Sequence, residues 1–333
     1  MYKISIIMPI FNAEDYIERS FKSILNQTMD LSYIEVIMVD DNSTDKTKHI
    51  VEEYEHKYSN FKAVYHENNS GGCAIPRNSG LKIATGEYVM FLDPDDEYAP
   101  DMCEILYNKI KSSDAQVVKC NHKLINPETS EIDYQFDENI SEKTINCKNE
   151  MPPSTSSVCN AIHDRKFLER HNLDFANLKN AEDILFSIEE FFNADKFIIL
   201  NNYAGYYYYR NETTSHAKKP TSDNLNAILD AYILTKKVIE QHGREEILHP
   251  FFSKRCIQFL IMLLDYPGNK KKYLEKFYEF EKGFDVPLTF ELLWTEIVNK
   301  FIVKNHITTA VLIYDGLNLI RKSPLVEIYR KLT

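Results

Sequence analysis

No stretch of this chain comes near the ~20 uninterrupted apolar residues that a membrane span requires. The opening Met1-Tyr2-Lys3 runs straight into a strand-like segment, with none of the regions of a signal peptide. The chain is therefore expected to be cytoplasmic. None of the six cysteines, Cys73, Cys103, Cys120, Cys147, Cys159 and Cys256, belongs to a C-x-x-C pair. That spacing suggests neither a zinc site nor a disulfide framework and leaves them as mostly reduced core residues. Positive charge is also scarce. A net charge of -11 argues against a nucleic-acid binder, whose affinity comes largely from clustered Lys and Arg. An anionic substrate would have to be met by a metal or by a few local cations. There is no G-x-G-x-x-G, no G-K-S/T and no internal repeat, which removes the dinucleotide fingerprint, the P-loop and the repeat architectures.

What is present is a chain of 333 residues with 44% hydrophobic content, enough for one large domain or two ordinary ones with a real core. Ile4 to Ile10, Tyr33 to Val39 and Tyr88 to Leu92 are apolar runs, each ended by polar residues, and each reads as a buried strand. Between them, Ala13 to Gln27 and Thr44 to Tyr58 have helical spacing, and Ile75 to Ala84 reads as a shorter helix opened by Pro76 and closed by Gly86. The alternation implies a parallel sheet with helices on both faces, and in such sheets ligands collect beyond the carboxyl ends of the strands. Further along, the pattern predicts a helix over Asp101 to Ser112 and a strand near Gln116 to Leu124, then an irregular polar stretch to Pro153. Helices are predicted around Val158 to Arg170 and Glu182 to Asn193, and strands over Phe197 to Leu200 and Tyr203 to Arg210. From about Ser222 the pattern is helical, with breaks at Gly243, Pro267-Gly268, Gly283 to Pro287 and near Asn305. That predicts a bundle of four to six helices. The boundaries expected are 1–221 for an α/β domain and 222–333 for a helical region.

Three polar clusters fall at predicted strand ends. Asp93-Pro94-Asp95-Asp96 places carboxylates two residues apart, which project to the same side of an extended backbone. Oxygen ligands of this kind favour a hard cation, Mn²⁺ or Mg²⁺, although a solvated acidic turn has the same sequence. Pro9-Ile10-Phe11-Asn12 and Asp40-Asp41-Asn42-Ser43 could hold a base and ribose between them, with a carboxylate to accept a ring N–H. Asp41 or Ser43 could equally cap the following helix. Asn68-Asn69-Ser70-Gly71-Gly72 leads into Pro76-Arg77-Asn78-Ser79-Gly80, where a helix N-terminus and a guanidinium make a reasonable anion site.

Taken together, Ser5 to Asn12, Val39 to Asp45, Pro76 to Leu81 and Phe91 to Asp96 resemble the inverting family 2 glycosyltransferases. The likeness implies an α/β fold of GT-A type, Rossmann-like with a mostly parallel central sheet, followed here by the helical region. It implies that Pro9, Phe11, Asn12 and Asp41 cradle uridine and that Asn68 and Arg77 lie near the nucleotide or diphosphate. Asp93 and Asp95 would hold the metal, Asp95 more directly. Ala181-Glu182-Asp183 matches the acidic pair that opens a later helix, with Asp183 as general base and Glu182 its neighbour; a helix-dipole charge pair is the alternative. In Arg210 to His216, Arg210 or Ser215 could touch phosphate and His216 could complete the metal shell. Asn26-Gln27-Thr28-Met29, Pro76-Arg77-Asn78 and Ala181 to Phe186 look similar to wall teichoic acid N-acetylglucosaminyltransferases.

This resemblance implies a UDP-sugar donor, UDP-N-acetylglucosamine first, and a polyol-phosphate polymer or glycan acceptor. Similar enzymes oligomerise, so the C-terminal helices are candidates for a homo-oligomer contact. Peripheral attachment at the inner membrane face is the weaker expectation, with one Trp and no basic amphipathic run. Two other readings share the carboxylate chemistry. A nucleotidyltransferase would need a Gly-rich basic loop where the chain has Phe11-Asn12-Ala13-Glu14. A non-catalytic nucleotide-sugar-binding protein would bind without turnover.

Overall fold

The computed structural model describes residues 1–125, 132–134, 142–153, 156–209 and 220–281. The chain divides into two compact units, residues 1–215 and 216–333. The first opens with β1 (Ile4–Ile10), α1 (Ile17–Leu25), β2 (Ile34–Asp40), α2 (Thr47–Lys57), β3 (Phe61–Tyr65), α3 (Ala74–Ile83) and β4 (Tyr88–Phe91). These four strands are parallel, in the order β3-β2-β1-β4. Every residue of β1 and β2 is buried, as a continuous apolar run demands when helices cover both faces of a parallel sheet. Phe21 of α1 meets Tyr54 of α2 with ring centroids 4.4 Å apart, so both helices lie on one face. The chain then reverses direction from β3 to β4, and right-handed crossovers put α3 on the other face. Gly80 lets α3 approach: a Cβ there would lie 2.4 Å from Ile7 Cγ2. The reversal makes the gap between the ends of β1 and β4 the topological switch point, the usual place for a ligand in such a sheet.

Beyond β4 come β5 (Glu97–Tyr98), α4 (Met102–Lys111), β6 (Val117–Ile125), β7 (Ile132–Tyr134), β8 (Lys143–Asn146), β9 (Ala161–Asp164), α5 (Arg165–Arg170), α6 (Glu182–Asn193) and β10 (Lys196–Tyr209). The sheet runs β3-β2-β1-β4-β9-β6-β10-β5, with β7 on β6 and β8 on β10. It is mixed, because β5, β7, β8 and β9 all pair antiparallel.

The structure differs from three of the sequence expectations. The helix predicted over Val158 to Arg170 is a strand followed by a one-and-a-half-turn helix. Ala161, Ile162 and His163 are wholly buried between β4 and β6, and a buried strand this short has no periodicity to set it apart from a helix. The polar stretch before Pro153 contains β8, where only Ile145 is buried; its ladder to β10 leaves no alternating pattern to read. The two predicted final strands are one, β10, with its register shifted between Leu200 and Ala204.

At the end of the sheet away from the switch point, Glu35 is fully buried and accepts from Ser5 Oγ (2.5 Å), Lys62 Nζ (2.5 Å), Thr85 N (2.8 Å) and Thr85 Oγ1 (2.9 Å). Burial works to raise its carboxyl, but the bonds from Lys62, Ser5 and Thr85 outweigh it and hold the group below the ordinary glutamate range.

The second unit has α7 (Ser222–Gln241), α8 (Leu248–Asp265) and α9 (Lys271–Glu281) among the described residues. Thr221 caps α7, accepting from Asn224 N at 3.2 Å. The three helices share an aromatic core in which Phe259 stacks on Phe277 at 5.3 Å and Tyr232 meets Phe252 at 5.4 Å. The helices predicted after Gly283 lie outside the described residues. Among the described residues, no helix is long and apolar enough to cross a membrane.

Because a depressed carboxylate stabilises the fold above its unfolded pKa and loses that effect as pH falls through its folded pKa, Glu35→Ala has a signed outcome. At neutral pH it should lower the unfolding free energy by about 2–3 kcal/mol, the scale of losing charged hydrogen bonds that leave buried partners unpaired. Denaturant titrations should show that deficit shrinking below about pH 4, near the ordinary glutamate value; a deficit independent of pH would contradict the assignment.

Candidate active site

Two loops meet at the carboxyl ends of β1 and β2. Asn12, in the left-handed region at φ 47°, accepts from Thr44 N at 2.8 Å through Oδ1, and its backbone N–H donates to Ser43 Oγ at 3.0 Å. Asparagine is one of the few side-chain-bearing residues that enter this region readily. Pro9, which cannot donate to a ladder, falls just after the β1–β4 pairing has ended at Ile7 and Phe91. Phe11 is left 43% exposed at the tip. Asp41 is buried beneath the next loop: Oδ2 accepts from Asn69 Nδ2, Ser70 N and Ser70 Oγ, and Oδ1 is bonded to His66. Asn68 is exposed on that same loop.

Asp93-Pro94-Asp95-Asp96 follows β4, and its carboxylates have diverged in role. Asp96 is buried, bonded by the Tyr206 hydroxyl at 2.5 Å and by Tyr209 N at 2.8 Å. It fastens the turn to β10. From α1, Ser20 Oγ donates to Pro94 O (2.7 Å) or Asp96 O (2.5 Å), and Arg19 donates to Asp95 O at 2.5 Å. With its backbone held on two sides, the turn presents Asp93 and Asp95, both half-buried. Burial, and after it the charge of Asp93, pushes the Asp95 carboxyl up to about 6. Arg19 only partly offsets this rise, so Asp95 favours added positive charge, and the donor set is hard oxygen. Among the described residues no group of three His, Cys, Asp or Glu side chains is placed to hold a metal. An ion such as Mg²⁺ commonly takes only one or two carboxylates, its other ligands coming from phosphates and water. The pair therefore fits Mn²⁺ or Mg²⁺.

The first turns of α3 connect everything else. Arg77 is 4% exposed. Its Nη1 donates to Glu182 at 2.5 Å, its Nη2 to Asp93 at 2.9 Å, and its guanidinium lies 5.3 Å from the Phe175 ring. The sequence suggested an anion site at this arginine; the structure supplies the anions from the protein itself. Burial opposes the charge, but Asp93 and Glu182 more than restore it. Asn78 exchanges two hydrogen bonds with the backbone of Phe175, at 2.7 and 2.8 Å, and Phe175 stacks on Phe186 of α6 at 4.2 Å. Ser79 bonds His66 at 3.0 Å. Cys73, just before α3, has its thiol pushed up to about 12 by burial, so it stays protonated and unreactive.

Glu182 and Asp183 open α6 after Ala181, whose φ of 63° is rare for a residue with a Cβ. Glu182 is buried against Arg77, while Asp183 is half-exposed. The structure thus brings Arg77, Asp93 and Glu182 into direct contact, with Asp95 and Asp183 as their chain neighbours. Arg210, Ser215 and His216 lie outside the described residues. Sequence reasoning missed His66, Arg19, Ser20 and the separate role of Asp96. Only His66 carried a signal, as a polar residue at the end of a strand beside the Asn68 loop.

The profile of the family described as Glycosyl transferase family 2 matches residues 5–171. A poly(ribitol-phosphate) beta-glucosyltransferase of Bacillus spizizenii is 30% identical over 260 residues, covering 77% of this chain and 40% of that protein. The poly(ribitol-phosphate) beta-N-acetylglucosaminyltransferase TarS of Staphylococcus aureus is 31% identical over 263 residues, covering 76% of this chain and 44% of TarS. The chain thus matches less than half the length of either relative. The crystal structure of S. aureus TarS 1-349 with UDP superposes with a TM-score of 0.70 at 24% identity, covering 99% of this chain and 92% of that one, which establishes a shared fold.

Lysine keeps the charge of Arg77 but cannot fork to two carboxylates at once. Arg77→Lys should cost about 3 kcal/mol in urea unfolding, at the low end of what breaking a buried ion pair costs; an unchanged midpoint would show that the fork contributes nothing.

Proposed function

The chain belongs to glycosyltransferase family 2, and from that premise we propose that it transfers a sugar, N-acetylglucosamine in the first instance, from a UDP-sugar to a hydroxyl of a polyol-phosphate polymer, with inversion and with Asp183 as general base. The observation that carries this reading is the fork of Arg77. One buried guanidinium touches the carboxylate of Asp93, in the turn that would hold the diphosphate, and that of Glu182, next to the proposed base. A leaving group on one side and an acceptor on the other fall within the reach of a single side chain, as displacement at one carbon requires.

In this reading the exposed ring of Phe11 offers an apolar face to the base, and Asp41 accepts its ring N–H. Asp93 and Asp95 hold a divalent cation, which when bound neutralises charge on the departing diphosphate. Glu182 is occupied by Arg77, so proton acceptance passes to Asp183, the more exposed of the two. A carboxylate there takes the hydroxyl proton as the oxygen attacks from the face opposite the diphosphate. Inversion follows from that opposition. The acceptor class and the choice of N-acetylglucosamine draw support from the names of the relatives, one of which is a glucosyltransferase. Family membership sets the nucleotidyltransferase aside, and turnover separates an enzyme from a nucleotide-sugar-binding protein.

The test is UDP release from UDP-N-acetylglucosamine and UDP-glucose with Mn²⁺ and poly(ribitol phosphate). Acceptor-dependent release, faster with the N-acetylated donor, is expected; faster release with UDP-glucose would reassign the sugar, and release with neither would refute the acceptor. Asp183→Asn should bind UDP normally and lose turnover by about 10²-fold or more, the scale of general-base catalysis; normal turnover would overturn the base assignment. Asp95→Asn removes a buried charge, so it should abolish Mn²⁺-dependent UDP binding without lowering the ligand-free melting temperature. A drop of several degrees would mean that Asp95 serves the fold.

A further inference from the structure

His66 sits at the end of β3, 17% exposed in its side chain, and was not singled out by any motif. Its Nδ1 lies 2.7 Å from Asp41 Oδ1 and its Nε2 lies 3.0 Å from Ser79 Oγ. Its backbone N–H donates to Asp40 O at 2.9 Å, which fixes where the ring starts. The tautomer follows from the partners. An ionised carboxylate can only accept, so Nδ1 carries a proton toward Asp41, and in the neutral ring Nε2 accepts from the Ser79 hydroxyl. A ring turned the other way would set a lone pair against a carboxylate.

Asp41 can accept about four hydrogen bonds, two at each oxygen. Oδ2 is filled by Asn69 Nδ2 (3.0 Å) and Ser70 N (2.8 Å), and the Ser70 hydroxyl donates either to it (2.8 Å) or to Gly72 O (3.1 Å). Oδ1 has one bond, from His66. One lone pair of Oδ1 therefore remains, and the imidazole decides its direction by occupying the other. Without His66 the carboxylate could turn about its terminal torsion and spend Oδ1 on water.

We propose that His66 is a positioning residue that gives the site its choice of nucleobase: it holds Asp41 as an acceptor with one aimed lone pair, which suits the N3–H of uracil and repels the N3 lone pair of cytosine. This deepens the reading given above, since it rests on Asp41 meeting the base. Ser79 completes the arrangement from α3, so the helix that places Arg77 between Asp93 and Glu182 also orients the nucleobase acceptor.

The experiment compares His66→Ala, His66→Asn, Ser79→Ala and Asp41→Asn, each checked for an intact thermal transition. Affinities for UDP and CDP are measured with Mn²⁺, together with KM and kcat for the donor. His66→Ala should weaken UDP binding about tenfold, the scale of one charge-assisted hydrogen bond. It should bring the UDP-to-CDP affinity ratio toward one and raise KM for the donor, with a smaller change in kcat at saturation. His66→Asn should recover much of the ratio, because its amide N–H can stand in for Nδ1–H. Ser79→Ala should fall between.

An unchanged UDP affinity and an unchanged UDP-to-CDP ratio in His66→Ala, with Asp41→Asn clearly weakened, would overturn the role of His66 alone. If Asp41→Asn also bound UDP as the parent does, the placement of the base at Asp41 would fail with it. A loss confined to kcat, with no movement in the ratio, would also contradict the proposal.

Discussion

The site is organised around a buried positive charge that the protein itself neutralises. Arg77 stands among apolar surroundings with Phe175 beneath it, and a guanidinium there is tolerable only if its terminal N–H groups find acceptors. Glu182 and Asp93 accept from Nη1 and Nη2, and Nε is left buried without a partner among the described residues. The two carboxylates come from segments far apart in the chain, so satisfying one side chain forces the turn after β4 and the start of α6 together. Planarity matters, because a forked donor sets the direction of both carboxylates as well as their distance. The half-exposed neighbours Asp95 and Asp183 inherit their positions from these two anchored residues.

The rest of the first turns of α3 extends the same logic. Asn78 fixes the backbone before α6, Ser79 fixes the ring that fixes Asp41, and Gly80 lets the helix approach Ile7 closely enough for the others to reach. Four consecutive residues, Arg77 to Gly80, thus read as a set of connections. The turn after β4 is likewise held from behind, by Asp96 on β10 and by Ser20 and Arg19 on α1. Stored cost is visible too, in the left-handed Ala181 and the desolvated Asp95, and such features persist only where surrounding structure dictates them.

The first hundred residues were legible because their physics is local. Continuous apolar runs of seven residues mark strands buried on both faces, and polar residues at their ends mark the ligand side. Later elements were not, because their identity depends on partners. Ala161 to Asp164 form a strand since β4 and β6 flank them, and nothing in four residues says so. Asp93, Asp95, Glu182 and Asp183 could be chosen from motif resemblance, which also put Arg77 near the nucleotide or diphosphate without showing what its guanidinium touches inside the protein. That its anions are Asp93 and Glu182 is a tertiary fact. His66 offered only its position as a polar residue at a strand end, because its two partners are 25 and 13 residues away.

A crystal structure of this chain with UDP and Mn²⁺ tests that central claim most directly. The account predicts that Arg77 still bridges Asp93 and Glu182, with the cation lying between Asp95 and the diphosphate. An Arg77 guanidinium released from Glu182 and bonded to a phosphate oxygen would contradict it.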